Sequence, residues 1–268
     1  DIYLLPSFCS LGNLFFGFLS LFATFHGRYA WAGFWVICAA TMDALALVDT
    51  AGALSAHAVP LMVKRAQERI HKPLELHFHN DFGHGVVNTI AGLAAGASVA
   101  HMTMNGIGER AGNTPLEETV LSLLIQYGVD VGLHYEKLFP TAQLVRQLGG
   151  FPIADNRPVT GERLFHVESG IITDWWRNCG EEHILEIFPY RWDLVGQPDP
   201  TIVFGKLSGT ASVLEILDRR GLKATDAQVM EILLKIKEVA IAKKAELSDA
   251  DLDAIVASVL QPQAPSPA

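Results

Sequence analysis

Hydrophobic and polar positions divide the chain into two unlike parts. Residues 2–25 and 29–42 are uncharged hydrophobic runs, separated by His26-Gly-Arg28. The first run is long enough for a helix that crosses a bilayer, which needs about 20 apolar residues. The pattern therefore predicts a hydrophobic helical hairpin over residues 1–43. The hairpin is either inserted in a membrane or, in the alternative interpretation, buried as a pair of core helices.

From residue 44 onwards, strand-like and helix-like periodicities alternate. Short apolar runs predict strands, and amphipathic segments predict the helices that follow them. The six segments are residues 45–49, 56–70, 74–79, 86–95, 99–104 and 117–127. This alternation is typical of βα units with a parallel sheet, so the fold class is α/β. Three units are fewer than the eight of a closed (β/α)₈ barrel.

The C-terminal half changes to a helical pattern. Residues 210–260 predict three helices, of which the second begins at a capping box, Thr225-Asp-Ala-Gln228, and the third at Ser248. The tail is rich in Pro, Ala, Gln and Ser, which predicts disorder. The predicted domains are the hydrophobic segment (1–43), a partial barrel (44–130), a helical region (131–260) and the tail (261–268).

Composition narrows the function classes. The net charge is −9, from 20 basic and 29 acidic residues, which argues against a nucleic-acid-binding protein. The cysteines Cys9, Cys38 and Cys179 form no C-x-x-C pair, which argues against a zinc ribbon, a redox motif and a disulfide scaffold. We expect a cytoplasmic protein in a reducing compartment, with membrane contact through residues 2–42 as the alternative.

The candidate chemistry begins with His77-Phe-His-Asn-Asp81, at the end of a strand-like run. Residues i and i+2 of a strand point to the same face, so the imidazoles of His77 and His79 can reach one cation. Imidazole suits divalent zinc, manganese, iron or cobalt. The spacing therefore indicates a metal site, and two histidines on an exposed edge remain the alternative.

Polar loops follow the two neighbouring strands as well. Asn105-Gly-Ile-Gly-Glu-Arg-Ala-Gly-Asn113 contains three glycines, which allow the backbone to turn tightly and approach a ligand. The alternative is a surface loop with a helix N-cap at Asn113 or Thr114. Asp49-Thr50-Ala-Gly52 follows the first strand, and a simple turn with a cap is its alternative.

Taken together, three stretches resemble the pyruvate carboxyltransferase-like metallolyase family, which includes 2-isopropylmalate synthase, homocitrate synthase and hydroxymethylglutaryl-CoA lyase. They are Val48-Asp-Thr-Ala-Gly52, His77-Phe-His-Asn-Asp-Phe-Gly83 and residues 105–113. The likeness continues more weakly through residues 161–170 and 204–209. It implies that residues 44–130 are the C-terminal three βα units of a TIM barrel, followed by a helical C-terminal appendage.

The resemblance also implies a reaction and a set of site residues. A divalent metal (Zn, Mn, Mg or Co) would act as a Lewis acid on the keto oxygen of a 2-oxo acid, which condenses with acetyl-CoA in amino-acid biosynthesis. No catalytic base is assigned. The implied residues are the metal ligands His77, His79 and Asn113, Thr50 for the substrate carboxylate, and Asp81, Glu109 and Arg110 as loop supports.

The sequence departs from that family at two points. It has no counterpart of the Asp–Arg–Glu motif on the family's first strand, and two imidazoles with one amide hold a divalent ion weakly without a carboxylate. Ile172 stands where the synthases carry a histidine, and isoleucine cannot move a proton. Another base, a different reaction or an inactive chain are therefore open alternatives.

The hydrophobic segment has a resemblance of its own. Ile2-Tyr-Leu-Leu-Pro6, His26-Gly-Arg28 and Met42-Asp-Ala-Leu45 resemble the start of CDP-diacylglycerol–serine phosphatidyltransferases, which implies a chimeric chain.

We expect an acetyl-CoA-dependent acyltransferase. The alternatives are a related aldolase or lyase, a membrane phosphatidyltransferase remnant, and an inactive fragment. Open sheet edges predict a homo-oligomer.

Overall fold

The computed structural model describes residues 26–28, 30–31 and 45–260. The chain divides into two compact units at Val131 and Gly132. The predicted hydrophobic hairpin lies almost wholly outside the described residues, and so does the predicted disordered tail, residues 261–268. In the described ranges, no helix combines the length and the apolar character that a membrane crossing requires.

The first unit consists of three βα units. Its elements are β1 (Leu45–Asp49), α1 (Ala58–Gln67), β2 (Leu74–Phe78), α2 (Gly85–Ala94), β3 (Val99–His101) and α3 (Leu116–Tyr127). The strands form one parallel sheet in the order β1-β2-β3. The predicted alternation and the predicted α/β class with a parallel sheet are confirmed.

The central strand, β2, separates an apolar face from a polar one. Leu74, Leu76 and Phe78 are buried and pack in one cluster with apolar side chains of α1. Burying a side chain of this kind contributes roughly 1.5–3 kcal/mol. Because side chains alternate along a strand, His77 and Glu75 lie on the opposite face, where both are half-buried.

The third strand is shorter than the pattern predicts. It ends at His101, whereas the prediction extended it to Met104. Asn105 adopts a left-handed conformation (φ 59°) within a 3-10 turn, which ends the extended backbone. The prediction is therefore wrong at this end, and the turn begins the glycine-rich loop directly after β3.

The second unit is mainly helical. Its elements are α4 (Leu138–Gly149), β4 (His166–Val167), α5 (Gly170–Cys179), β5 (Thr201–Ile202), α6 (Thr210–Arg219), α7 (Asp226–Lys243) and α8 (Asp249–Leu260). The three helices predicted over residues 210–260 are confirmed, and Val213, Ile232 and Ile236 lie fully buried among them. The parallel pair β4-β5 was not predicted, since two-residue strands have no readable periodicity.

The predicted capping box at Thr225 and the predicted cap at Ser248 both form. At the start of α7, the Thr225 Oγ1 accepts a hydrogen bond from the Gln228 N–H, and the Gln228 Oε1 accepts one from the Thr225 N–H. At the start of α8, the Ser248 N–H donates to Asp251 Oδ2 (3.0 Å), and the Asp251 N–H donates to Ser248 Oγ (3.3 Å). Hydrogen bonds from Lys243 and Ser248 lower the pKa of Asp251 to about 2.

This lowered pKa predicts a pH-dependent stability. Asp251→Asn should reduce the free energy of unfolding at pH 7, because it removes the ion pair with Lys243. The wild-type advantage should be complete above about pH 4 and be lost as the pH falls through about 2, below which the carboxyl is protonated in both states. Urea unfolding followed by circular dichroism measures it. Asp249→Asn is the matched control, since it removes a carboxylate from the same turn and keeps these contacts. A wild-type advantage that is unchanged down to pH 2 would contradict the prediction.

Candidate active site

Three loops come together at the carboxyl end of the first unit's sheet. They are the first loop (residues 50–57), the second loop (79–84) and the third loop (102–115). The His79 N–H donates to the Asp49 carbonyl (3.4 Å), and the Asn80 N–H donates to the Gly112 carbonyl (2.9 Å). Because parallel strands end at the same edge, residues far apart in the sequence become neighbours here.

The two predicted imidazoles lie side by side. The ring centroids of His77 and His79 are 5.2 Å apart, with an interplanar angle of 76°. A ring nitrogen about 2.1 Å from a metal places its centroid about 3.2 Å from that metal, so two rings on one ion lie about 4.5–5.2 Å apart. The observed separation matches the upper end of this range. The structure therefore brings the pair together as the i, i+2 spacing predicts.

Asn113 joins the histidines through the backbone of the third loop. It forms an isolated antiparallel bridge with His79. The Asn113 Oδ1 and the His79 Nδ1 are both buried without a hydrogen-bond partner. A buried polar atom without a partner costs about 1–3 kcal/mol, so two of them in bridged residues call for an explanation. A cation bound between them would satisfy both.

The electrostatics favour neutral imidazole at this position. Partial burial, and then the nearby rings of His101 and His79, lower the pKa of His77 below its usual value. His101 faces His77 across the β2–β3 register at 5.6 Å between centroids, and its Nε2 lies 3.0 Å from Glu75 Oε2. Neutral imidazole is the form that binds metal.

The residues present fit a divalent ion in the kind of ligand, though they form an incomplete set. Within the described ranges, no three His, Cys, Asp or Glu side chains lie close enough to hold a metal. His77, His79 and Asn113 supply two nitrogens and one amide oxygen. The unsatisfied buried atoms of His79 and Asn113 favour a bound cation, and a carboxylate ligand would have to come from elsewhere.

A buried carboxylate shapes the third loop. Glu117 is fully buried, and its Oε2 accepts a hydrogen bond from the Asn105 N–H (2.9 Å). The glycine-rich turn between Gly106 and Gly112 is tight, because a Cβ on Gly112 (φ 92°) would collide with the Gly106 carbonyl. The same carbonyl accepts a hydrogen bond from the Asn113 N–H (3.0 Å). Glu117 therefore contributes to the placement of Asn113. Sequence reasoning missed it, since a glutamate in a first helical turn has no distinguishing local signal.

The first loop is organised by Asp49. This side chain is buried, and its carboxylate accepts hydrogen bonds from the Ala53 N–H (3.1 Å) and the Leu54 N–H (2.8 Å). Thr50 follows it directly and is exposed. Helix α1 begins only at Ala58, so Asp49 stabilises the loop and does not cap a helix. Thr50 is thus available at the same edge as the histidines.

The predicted supporting residues have different environments. Arg110 forms a two-pronged ion pair with Asp81 at 2.9 and 3.0 Å, which lowers the pKa of the Asp81 carboxyl below its usual value. Arg110 also donates to the Thr50 carbonyl (2.5 Å). Glu109 is exposed and lies 3.9 Å from the Arg110 guanidinium. The structure therefore brings Asp81 and Arg110 into the site and leaves Glu109 at its surface.

Two alternative interpretations do not hold. Helix α3 begins at Leu116, with Pro115 at its N-cap position, so neither Asn113 nor Thr114 caps it. The histidines are not simply an exposed edge pair, because His79 is 9% exposed.

In the second unit, Ile172 packs against an aromatic cluster that includes Phe165 and Phe188.

Comparisons with known proteins find relatives over about four fifths of the chain. Residues 35–145 match the HMGL-like family model. A putative (R)-citramalate synthase of Archaeoglobus fulgidus is 38% identical over 222 residues, which are 83% of this chain and 44% of that protein. The (R)-citramalate synthase of Methanocaldococcus jannaschii is 36% identical over 217 residues, 81% of this chain and 43% of that protein. The chain thus spans less than half the length of these relatives.

Among solved structures, the HMG-CoA lyase of Bacillus subtilis is 24% identical over 44% of this chain and 43% of that one, with a TM-score of 0.39. The family match begins at residue 35, inside the segment predicted to be a hydrophobic hairpin. The predicted likeness of residues 1–45 to phosphatidyltransferases, the membrane contact and the homo-oligomer are not supported by these comparisons.

The buried carboxylate generates a stability prediction. Glu117→Ala leaves the buried Asn105 N–H without this acceptor and should lower the free energy of unfolding by about 1–3 kcal/mol. Glu117→Gln retains an oxygen acceptor and should cost less. Urea unfolding measures both variants. Glu118→Ala, which removes a half-buried carboxylate from the same turn, is the control. Equal losses for Glu117→Ala and Glu118→Ala would show that burial at position 117 has no special role.

Proposed function

We propose that this chain, of which residues 35–145 match the HMGL-like family model, takes part in a metal-dependent acyl transfer that condenses acetyl-CoA with a 2-oxo acid. The observation that carries the proposal is the 36–39% identity to (R)-citramalate synthases over about four fifths of the chain. Pyruvate is accordingly the proposed 2-oxo acid. The activity is a proposal for the chain, because the chain spans less than half of the length of these relatives.

In this proposal, His77, His79 and Asn113 hold the divalent ion. The support is their proximity on one edge and the two buried ligand atoms without partners. When bound, such an ion supplies Lewis-acid polarisation of a keto group. The lowered pKa of His77 keeps its imidazole in the neutral form required of a ligand.

Thr50 is proposed to bind the carboxylate of the 2-oxo acid. Its exposed side chain follows a buried, hydrogen-bonded Asp49, so its backbone is held while its hydroxyl can donate to an anion. Asp81 cannot readily serve as a metal ligand in this arrangement, because both of its oxygens accept hydrogen bonds from Arg110.

Metal binding can be tested without any turnover. Calorimetric titration of the purified chain with Mn²⁺ should show about one site, and His79→Ala should weaken the affinity at least tenfold. Asn113→Ala should weaken it as well, since it removes the amide oxygen. His84→Ala is the matched control, because this exposed histidine lies in the same loop and contacts the Leu54 carbonyl. Equal affinities for wild type and His79→Ala would contradict the proposed site.

The reaction is tested by thiol release from acetyl-CoA. Pyruvate should stimulate release in the presence of Mn²⁺, and Thr50→Ala should raise the KM for pyruvate more than it lowers kcat, as expected for lost substrate binding. Thr201→Ala is the control, because it removes an exposed threonine from β5 in the second unit. Absence of pyruvate-dependent thiol release would contradict the synthase proposal.

A lyase or aldolase is the second candidate, and Ile172 favours it. The family resemblance places this residue where the synthases carry a histidine, and an isoleucine side chain offers no proton-transfer group. It packs into apolar surroundings. Cleavage of 3-hydroxy-3-methylglutaryl-CoA or of a 4-hydroxy-2-oxo acid, without pyruvate-dependent thiol release, would support this candidate over the synthase.

A further inference from the structure

We propose that Arg110 is a positioning residue that sets Thr50 in place relative to the two imidazoles, an inference that rests on the proposed function. Its Nε and Nη2 donate to the two carboxylate oxygens of Asp81 at 2.9 and 3.0 Å. The same Nη2 also donates to the main-chain carbonyl of Thr50 at 2.5 Å. One guanidinium thus contacts all three loops, since Arg110 itself belongs to the third.

The first and second loops approach closely where Arg110 holds them. Gly52 has a φ of 62°, and a Cβ at this position would lie 2.5 Å from Asp81 Oδ2 and 2.9 Å from the Asp81 nitrogen. A side chain at residue 52 would therefore displace Asp81 from the guanidinium. The glycine allows the contact that brings the Thr50 carbonyl within reach of Arg110.

The backbone of Arg110 indicates that its placement matters. Its φ is 56°, in the left-handed region, which costs free energy for a residue other than glycine. Its side chain is 41% exposed, and an exposed ion pair adds little to folding stability. Strained conformations of this kind cluster at functional sites. Loop positioning accounts for the strain better than stability does.

The contact acts on the part of the site that meets the substrate. Arg110 binds Thr50 through the main chain, which leaves the threonine hydroxyl available. Asp49 holds the next turn of the first loop through Ala53 and Leu54. These contacts hold the backbone of the first loop at Thr50 and at the residues that follow it. Losing the Arg110 contact should therefore affect 2-oxo acid binding more than metal binding.

Lysine cannot reproduce this arrangement. A guanidinium donates several hydrogen bonds in a planar fork, which matches a carboxylate and a carbonyl at once, whereas an ammonium is a compact point charge. Arg110→Lys should therefore restore part of what Arg110→Gln loses. A residue that acts only through its positive charge would be fully replaced by lysine.

The test compares pyruvate binding among variants by calorimetry in saturating Mn²⁺. Arg110→Gln should weaken pyruvate at least tenfold and leave the Mn²⁺ affinity within about threefold, with Arg110→Lys in between. Arg146→Gln is the matched control, because Arg146 is 39% exposed and pairs with Glu162 at 2.6 Å. In a Thr50→Ala background, Arg110→Gln should change pyruvate affinity less than twofold, because the hydroxyl it positions is gone.

Two results would overturn the inference. If wild type binds pyruvate and Arg110→Gln binds it equally well, or keeps its full effect in the Thr50→Ala background, the positioning role is wrong while the proposed function stands. If wild type with Mn²⁺ binds no pyruvate, the proposed function fails, and this inference fails with it.

Discussion

Burial of one face of β2 is the constraint on which the site depends. Leu74, Leu76 and Phe78 pack into the core of the first unit, and the two-residue period of a strand then directs His77 to the opposite face. His79 continues that period just past the strand. A shift of one residue in register would bury the imidazoles and expose the leucines, at a cost that hydrophobic burial makes large.

The parallel sheet brings the loops after its three strands together at one site. Strand ends that are separated by 23–52 residues in the sequence meet at one end of the sheet, where backbone hydrogen bonds and Arg110 hold their loops together. The second unit has its own core of helices. The buried side-chain atoms without hydrogen-bond partners, on His79 and Asn113, lie in two of these loops.

Much of this arrangement could be read from the sequence, because it depends on short periods. The i, i+2 spacing predicts the imidazole pair, and the capping box at Thr225 and the serine at position 248 predict the two helix caps. The contacts that shape the loops could not be predicted. Glu117 meets Asn105 and Arg110 meets Thr50 only after the chain has folded, and neither pair has a fixed spacing. The position of His101 beside His77 similarly depends on the strand register.

The central claim is that two adjacent imidazoles at the carboxyl end of the sheet bind one divalent ion together with an amide oxygen. X-ray absorption spectroscopy of the chain loaded with one equivalent of Zn²⁺ tests it most directly, since imidazole rings produce characteristic outer-shell scattering. We expect two imidazole nitrogens at about 2.0–2.1 Å and oxygen ligands in the remaining positions. A spectrum with oxygen ligands alone, or one that is unchanged when His77 and His79 are both replaced by alanine, would contradict the account.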